Sequence, residues 1–244
     1  MSLVITLYVR EGIVMASDSR ITLSRSEQET DQQVVKLDVA LTDASYKTFL
    51  ATGNVGISTY GSAELKGVPL AGYIESFIAE SLGDGKVGVD DVPRRLLEYF
   101  RRLNPIPEAS FDVAGYKTVK KAREQHVWRV SPASNTAYRA NDPGDQGIVW
   151  GGEIDILSRL IHNVAQVDAA GTVQAVLPSF PIPWNFFTLQ DAIDFSIFAI
   201  RSTIDAMRFQ TRAKTVGGPI DVLVLKPYEA FWVQRKELHG ERVT

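Results

Sequence analysis

The order of predicted elements indicates an α+β protein, a four-layer αββα sandwich of two antiparallel sheets flanked by helices. Strands come first along the chain, followed by two helices, more strands, two more helices and final strands. The early strands are joined by turns too short for the crossovers that parallel pairs need, so their pairing is antiparallel. Each group of strands comes with two helices that cover one face, and the remaining faces bury each other, which requires four layers.

The first strands follow from β-branched and apolar runs that are interrupted by turn residues. Arg10-Glu11-Gly12 and Gly53-Asn54 are such turns, so each joins two strands into a hairpin. The polar, aperiodic residues 24–33 predict a surface loop. We expect one antiparallel sheet from the four early strands, at residues 3–9, 13–16, 48–52 and 55–60.

Helices are predicted from apolar residues at helical spacing. The first runs from Pro69 to Leu82. The second begins near Asp91, with Pro93 in its first turn, and ends before residues 104–107 (Asn-Pro-Ile-Pro). A third is expected from Glu153 to Val164.

The longest predicted helix begins at Thr188, where Thr-Leu-Gln-Asp resembles a capping box, and carries an apolar stripe as far as Met207. Further strands come before and after these last two helices, at residues 111–115, 126–130, 136–139, 148–150, 220–225 and 231–233.

Composition excludes several classes of function. The 244 residues are 45% apolar and include no linker, repeat or low-complexity tract, so we predict a single domain over residues 1–244. A net charge of −3 without a basic block gives no footprint for nucleic acid. The absence of cysteine excludes disulfides, thiolate metal sites and thiol nucleophiles. We find no signal peptide or membrane span and expect a cytoplasmic protein with no membrane partner.

Ser2 is the first candidate for chemistry. Removal of Met1 would leave its hydroxyl beside its own α-amine, whose pKa of ~8 lets it act as a base at neutral pH. Many proteins begin with Met-Ser, so this feature needs support from elsewhere in the chain. By contrast, the three histidines lack the spacing of metal ligands and are interpreted as structural or surface residues: His126, His162 and His239.

Three further residues support Ser2. Asp18 ends the second strand, which places it beside the start of the first strand. Lys47 directly precedes the third strand and, paired with a carboxylate, would supply positive charge to a nearby hydroxyl. Gly61 ends the fourth strand, where its N–H could stabilise an oxyanion. If the strands pair as predicted, all four residues meet at one end of a sheet.

Residues 12–20 (Gly-Ile-Val-Met-Ala-Ser-Asp-Ser-Arg) resemble the signature Gly-Val-Val-Leu-Ala-Ala-Asp-Ser-Arg near the start of proteasome β subunits, which are N-terminal nucleophile hydrolases. In that family the hairpin begins at a catalytic N-terminal threonine, and counting back from the signature leads to Ser2. The resemblance assigns the family's catalytic aspartate, lysine and oxyanion-hole glycine to Asp18, Lys47 and Gly61. It also assigns a supporting arginine to Arg20. Lys36 is the competing lysine, and its downstream sequence matches less well.

The resemblance extends to about Leu225, with weaker motifs and three departures. The nucleophile is serine and not threonine. The serine of the family's Gly-Ser-Gly motif aligns with Gly151. The family's aspartate and serine before the last strand align with Ala213 and Val216. Residues 24–44 contain an insertion relative to typical β subunits.

The resemblance implies the N-terminal nucleophile hydrolase fold and an amide-bond hydrolase of the bacterial proteasome-like branch, with a peptide or amide substrate. No metal or organic cofactor is implied. It further implies self-association into rings or related homo-oligomers, for which the apolar segment 177–187 is one candidate surface and a buried loop is the alternative. Two other functions stay open, a small-molecule amidase on the same fold and a non-catalytic assembly subunit.

Overall fold

Two five-stranded antiparallel sheets lie face to face in a computed structural model of the chain. The model describes residues 2–30, 33–51, 53–83, 85, 87–178 and 180–237, and only the backbone of 24–30 and 33–38. The first sheet has the order β12 (Gly147–Gly152), β1 (Leu3–Val9), β2 (Gly12–Ser17), β15 (Asp221–Leu225) and β16 (Ala230–Gln234). The second has the order β11 (Thr136–Arg139), β10 (Ala122–Ser131), β9 (Ala109–Val119), β6 (Val55–Gly61) and β5 (Thr48–Ala51).

Each sheet is covered on its outer face by a pair of helices. Helices α1 (Leu70–Leu82) and α2 (Val92–Arg101) pack on the second sheet, where Phe77, Phe100 and Phe111 are fully buried. Helices α3 (Asp155–Ile161) and α4 (Leu189–Arg208) pack on the first sheet. The predicted αββα sandwich is therefore confirmed.

Strand β1 shows how alternation separates the layers. Leu3, Ile5 and Leu7 belong to the core beneath α4, while the intervening residues face the second sheet. Tyr8 packs in the apolar core between the sheets, and the Thr6 hydroxyl donates to the Asp112 carboxylate of β9 at 3.5 Å. Ser2 has the same parity as Thr6 and Tyr8, so it lies on the side of β1 that faces the second sheet.

The long helix begins as its sequence predicts. The Thr188 hydroxyl accepts from the Asp191 backbone N–H, and the Asp191 carboxylate accepts from the Thr188 N–H, which completes a capping box. Helix α2 also begins where expected, although Asp91 makes no side-chain cap hydrogen bond. The third predicted helix is too long, because α3 ends at Ile161 and the chain after His162 is extended.

Two predictions about strand pairing are wrong. The four early strands do not form one sheet: β1 and β2 belong to the first sheet, and β5 and β6 to the second. The predicted loop 24–33 is largely strand, because β3 (Ile21–Thr30) and β4 (Gln33–Thr42) pair only with each other as a two-stranded ribbon. A ribbon outside the two sheets does not require the apolar alternation that reveals a half-buried strand, so polar sequence misled the prediction.

Two short hairpins complete the architecture, β7 (Glu64–Leu65) with β8 (Val68–Pro69), and β13 (Ala165–Val167) with β14 (Val173–Val176). A short 3-10 helix (Trp184–Phe186) precedes α4. Among the described residues, no helix combines the length and apolar character needed to cross a membrane.

Candidate active site

The Asp18 carboxylate is fully buried and accepts four hydrogen bonds at the end of β2. Its Oδ1 accepts from the Leu3 backbone N–H at 3.0 Å and from the Lys47 ammonium at 2.7 Å. Its Oδ2 accepts from the backbone N–H groups of Arg20 and Gly217, at 3.1 and 3.0 Å. One side chain therefore fixes the start of β1, the end of β2, the segment before β15 and the lysine that precedes β5.

Lys47 is held by the second sheet and reaches the first. Its Nζ donates to Asp18 and, at 2.6 Å, to the Arg20 carbonyl, while its own carbonyl accepts from the Thr59 N–H of β6 at 2.9 Å. Burial lowers the pKa of the ammonium, and the adjacent Asp18 carboxylate opposes that shift. The predicted pairing of Asp18 with Lys47 is present, and it joins two sheets where the sequence suggested one.

Ser2 lies beside this pair and is 3% exposed. Its carbonyl accepts from the Glu153 N–H at 2.7 Å, where β12 ends. Ser2 and Lys47 line the same small cavity with residues of the second sheet and α1, and the remaining lining residues are Ser45, Tyr46, Thr59, Tyr60, Ser62, Ala63, Leu70 and Ala71. Met1 lies outside the described residues.

Gly61 lies between two residues that line this cavity, Tyr60 and Ser62. It pairs with Ala109 at the end of β6 and has a φ of +98°, a conformation that side chains disfavour. A Cβ at this position would also lie 2.6 Å from the Glu108 carbonyl oxygen. Backbone geometry and close packing thus both require glycine at the predicted oxyanion position.

Arg20 contributes to the site through its backbone. Its N–H and carbonyl bind Asp18 and Lys47, whereas its guanidinium forms two hydrogen bonds to Asp43, at 2.6 and 2.7 Å, and one to the Lys214 carbonyl. The side chain covers Gly217, where a Cβ would meet the guanidinium. Arg20 therefore supports the loop that donates the Gly217 N–H to Asp18. The competing Lys36 has a side chain outside the described residues.

Tyr60 explains why position 151 is glycine. Its ring lies against Gly151, so that a Cβ there would be 2.5 Å from ring atoms Cε1 and Cε2. The Arg129 guanidinium is 5.8 Å from the ring centroid, and burial together with the Asp112 carboxylate raises the pKa of Tyr60 to about 12. Tyr60 is therefore a neutral phenol at physiological pH, in the space where a serine at 151 would project.

This packing gives a testable coupling between positions 60 and 151. Gly151→Ser alone should lower the free energy of unfolding by about 1–3 kcal/mol, because the new side chain overlaps the ring. In a Tyr60→Ala background, Gly151→Ser should cost less unfolding free energy, by about 1 kcal/mol or more, as expected for residues in contact. Denaturant unfolding of the four proteins measures this difference. Gly151→Ser combined with a change at the exposed Tyr228 should be additive, and equal coupling in both cycles would contradict the packing argument.

The sequence did not predict the hydrogen-bond network around Glu153, the residue that binds the Ser2 carbonyl. Glu153, whose N–H binds the Ser2 carbonyl, accepts from the Thr215 hydroxyl at 2.9 Å and from Arg212 at 3.3 Å. Arg212 also binds both carboxylate oxygens of Asp155 at 2.9 Å. The position of Glu153 after the Gly-Gly pair was the only available signal, because Arg212 and Thr215 are about 60 residues away in sequence.

Comparison with known proteins identifies this arrangement of sheets. No protein-family model and no curated protein match the sequence. Among solved structures, Anbu from Hyphomicrobium sp. strain MC1 superposes with a TM-score of 0.59 at 14% identity, over 96% of this chain and 88% of that chain. The chain has the fold of Anbu. A second structure, a mutant of the same Anbu, gives a TM-score of 0.56 at 14% identity, over 95% and 85% of the two chains. The likeness supports the predicted α+β fold of two antiparallel sheets flanked by helices.

Proposed function

We propose that this protein is a proteasome-like amide-bond hydrolase of the bacterial proteasome-like branch, acting on peptides, with Ser2 as its N-terminal nucleophile. The observation that carries the proposal is the buried Asp18–Lys47 pair, whose lysine lines the same cavity as Ser2. Two buried charges are costly to maintain unless their geometry is favourable, and their presence next to a hydroxyl favours a functional role. The likeness to Anbu supports the proteasome-like fold on which this chemistry depends.

In the proposed mechanism, the Ser2 Oγ attacks the carbonyl carbon of the substrate while the α-amine of Ser2 takes the hydroxyl proton. The Gly61 N–H donates to the oxyanion of the tetrahedral intermediate, and Lys47, held by Asp18, supplies positive charge beside the nucleophile. The C–N bond then breaks, and the proton passes from the α-amine to the leaving amine. Water hydrolyses the resulting ester at Ser2 and regenerates the hydroxyl.

This mechanism requires a free α-amine at Ser2. While Met1 precedes it, that nitrogen is part of an amide and cannot accept a proton. Removal of an initiator methionine before a small residue such as serine is the processing step on which the proposal depends.

Self-association is a further part of the proposal, supported by exposed apolar side chains in and around the segment 177–187. In the segment 177–187 the structure separates two groups: Phe180 and Phe186 are 87% and 79% exposed, whereas the ring of Trp184 packs edge-on against Phe195. The hairpin that precedes this segment adds exposed Val167, Val173 and Val176, and α4 adds Phe198, whose ring lies 6.1 Å from that of Phe195. A surface of this kind is typical of contacts between subunits.

Intact-mass spectrometry after treatment with a β-lactone or an epoxyketone tests the catalytic proposal. A β-lactone acylates the hydroxyl, whereas an epoxyketone needs both the hydroxyl and the free α-amine of one residue. We expect a single adduct with each reagent on protein that lacks Met1, localised to Ser2 by peptide mapping. Ser2→Ala should give no adduct, and Ser2→Thr should restore it. Processed protein that forms no adduct would refute the proposed mechanism.

A non-catalytic assembly subunit is the second candidate. It is favoured by the absence of a hydroxyl or carboxylate at Gly151, Ala213 and Val216, three positions where the family carries polar groups. Under this alternative the protein forms no adduct but still self-associates.

A small-molecule amidase would form the adduct and cleave acylated amines, but would leave casein intact.

A further inference from the structure

A second buried lysine–aspartate pair lies beside the Asp18–Lys47 pair. Lys236, just after β16, donates from its ammonium to Asp221 Oδ2 and from its backbone N–H to Asp221 Oδ1, the latter at 2.8 Å. Both side chains are buried, with exposures of 4% for Lys236 and 0% for Asp221. Asp221 begins β15 opposite Ser17, the residue before Asp18. The two ion pairs thus meet at the same end of the first sheet.

The second pair contacts the chain that carries the active-site lysine. The Lys236 ammonium is 4.3 Å from the ring centroid of Tyr46, the residue immediately before Lys47 and part of the cavity wall. The Tyr46 hydroxyl in turn donates to the Lys236 carbonyl at 3.4 Å, and the Arg235 guanidinium is 5.1 Å from the same ring. Cation–π contacts of a buried ammonium are favourable, so they hold Tyr46 against the C-terminal segment.

The two ammonium groups also interact through their charges. Burial is the main cause that lowers the pKa of Lys47, and the Lys236 cation adds to that effect, while Asp18 and Asp43 oppose it. Burial likewise lowers the pKa of Lys236, opposed by Asp221. The charged groups that surround Lys47 from the packed elements are Asp18, Arg20, Asp43, Asp221 and Lys236.

We propose that Lys236, held by Asp221, is a positioning residue that fixes Tyr46 at the cavity wall and places a second cation beside the segment that carries Lys47. It does not line the cavity, and it acts through Lys47 and Tyr46. The effect on acylation rests on the proposed function of Ser2, whereas the coupling between the two lysines does not. The segment after β16 thereby supports the candidate site, because it holds Tyr46, the residue that directly precedes Lys47.

Titration of Lys47 by NMR tests the coupling without reference to activity. Protein labelled with 13C at lysine Cε reports the protonation of each Nζ, and Lys47→Arg identifies the Lys47 signal. Lys236→Met retains the length of the side chain without its charge, so the titration midpoint of Lys47 should rise. Lys236→Arg keeps the charge and should leave the midpoint unchanged. Lys117, whose ammonium pairs with Asp90 at the surface, serves as a reference that should not move.

The double variant Lys236→Met with Asp221→Asn covers the case in which the unpaired Asp221 prevents folding. It removes both charges, so the midpoint should rise less than in Lys236→Met, because loss of the Asp221 carboxylate opposes the effect of losing the Lys236 cation. An unchanged midpoint in both variants, or an equal rise in Lys236→Arg, would overturn the proposal.

A second readout separates this inference from the proposed function. If Ser2 reacts as proposed, Lys236→Met should move the alkaline limit of the β-lactone acylation rate to higher pH, since Lys47 stays charged over a wider range. A shifted NMR midpoint without any adduct would support the lysine coupling and refute the hydrolase proposal. An adduct together with an unshifted NMR midpoint would support the hydrolase proposal and refute the coupling between the two lysines.

Discussion

Replacing Asp18 by asparagine should lower the free energy of unfolding by about 3–5 kcal/mol, the range for a buried ion pair that loses one partner. Each carboxylate oxygen accepts two hydrogen bonds, so an amide keeps one acceptor and turns an NH2 donor toward two other donors. The Lys47 ammonium also loses its hydrogen bond to the Asp18 carboxylate while remaining buried. Denaturant unfolding monitored by tryptophan fluorescence measures the change.

Asp43→Asn is the matched control for Asp18→Asn. Asp43 also forms short hydrogen bonds to a cation, the Arg20 guanidinium, but its side chain is 44% exposed. Exposed ion pairs contribute about 0–1 kcal/mol because water and salt screen them. If Asp18→Asn and Asp43→Asn have similar unfolding free energies, the four hydrogen bonds of Asp18 do not stabilise the fold as expected.

Lys47→Met should reduce the rate of Ser2 acylation by a factor on the order of 10³, the range for removal of a group that stabilises developing charge. Methionine has nearly the volume of lysine but cannot donate to Asp18 or supply charge beside Ser2. Pseudo-first-order rates of β-lactone labelling, followed by intact mass at several reagent concentrations, separate a loss of reactivity from weaker reagent binding.

Lys36→Met controls for the competing assignment of the active-site lysine. The structure pairs Lys47 with Asp18, so labelling of Lys36→Met should proceed at the rate of the unmodified protein. Lys47→Met leaves the buried Asp18 carboxylate without its cation. An unfolding curve of this variant therefore has to show that it is folded under the labelling conditions. A labelling rate within a factor of three of the unmodified protein would exclude Lys47 from the chemistry.

The sequence by itself determined the local elements and the residue types of the candidate site. The hairpin of β1 and β2 follows from apolar runs around a short turn, and the start of α4 follows from Thr188 and Asp191, which satisfy each other's backbone groups. Ser2, Asp18, Lys47 and Gly61 were found by strand position and by resemblance. Such signals depend on neighbours within a few residues, so they are present before the chain folds.

Only the tertiary structure decided how these elements meet. Sheet membership depends on pairing between distant segments, and the site lies where two sheets face each other, not at the end of one. The packing of Tyr60 against Gly151, and the approach of Lys236 to Tyr46 across 190 positions of chain, leave no periodic trace in the sequence. Contacts of this kind are selected by close packing and by the need to pair buried charges, which depend on the folded arrangement as a whole.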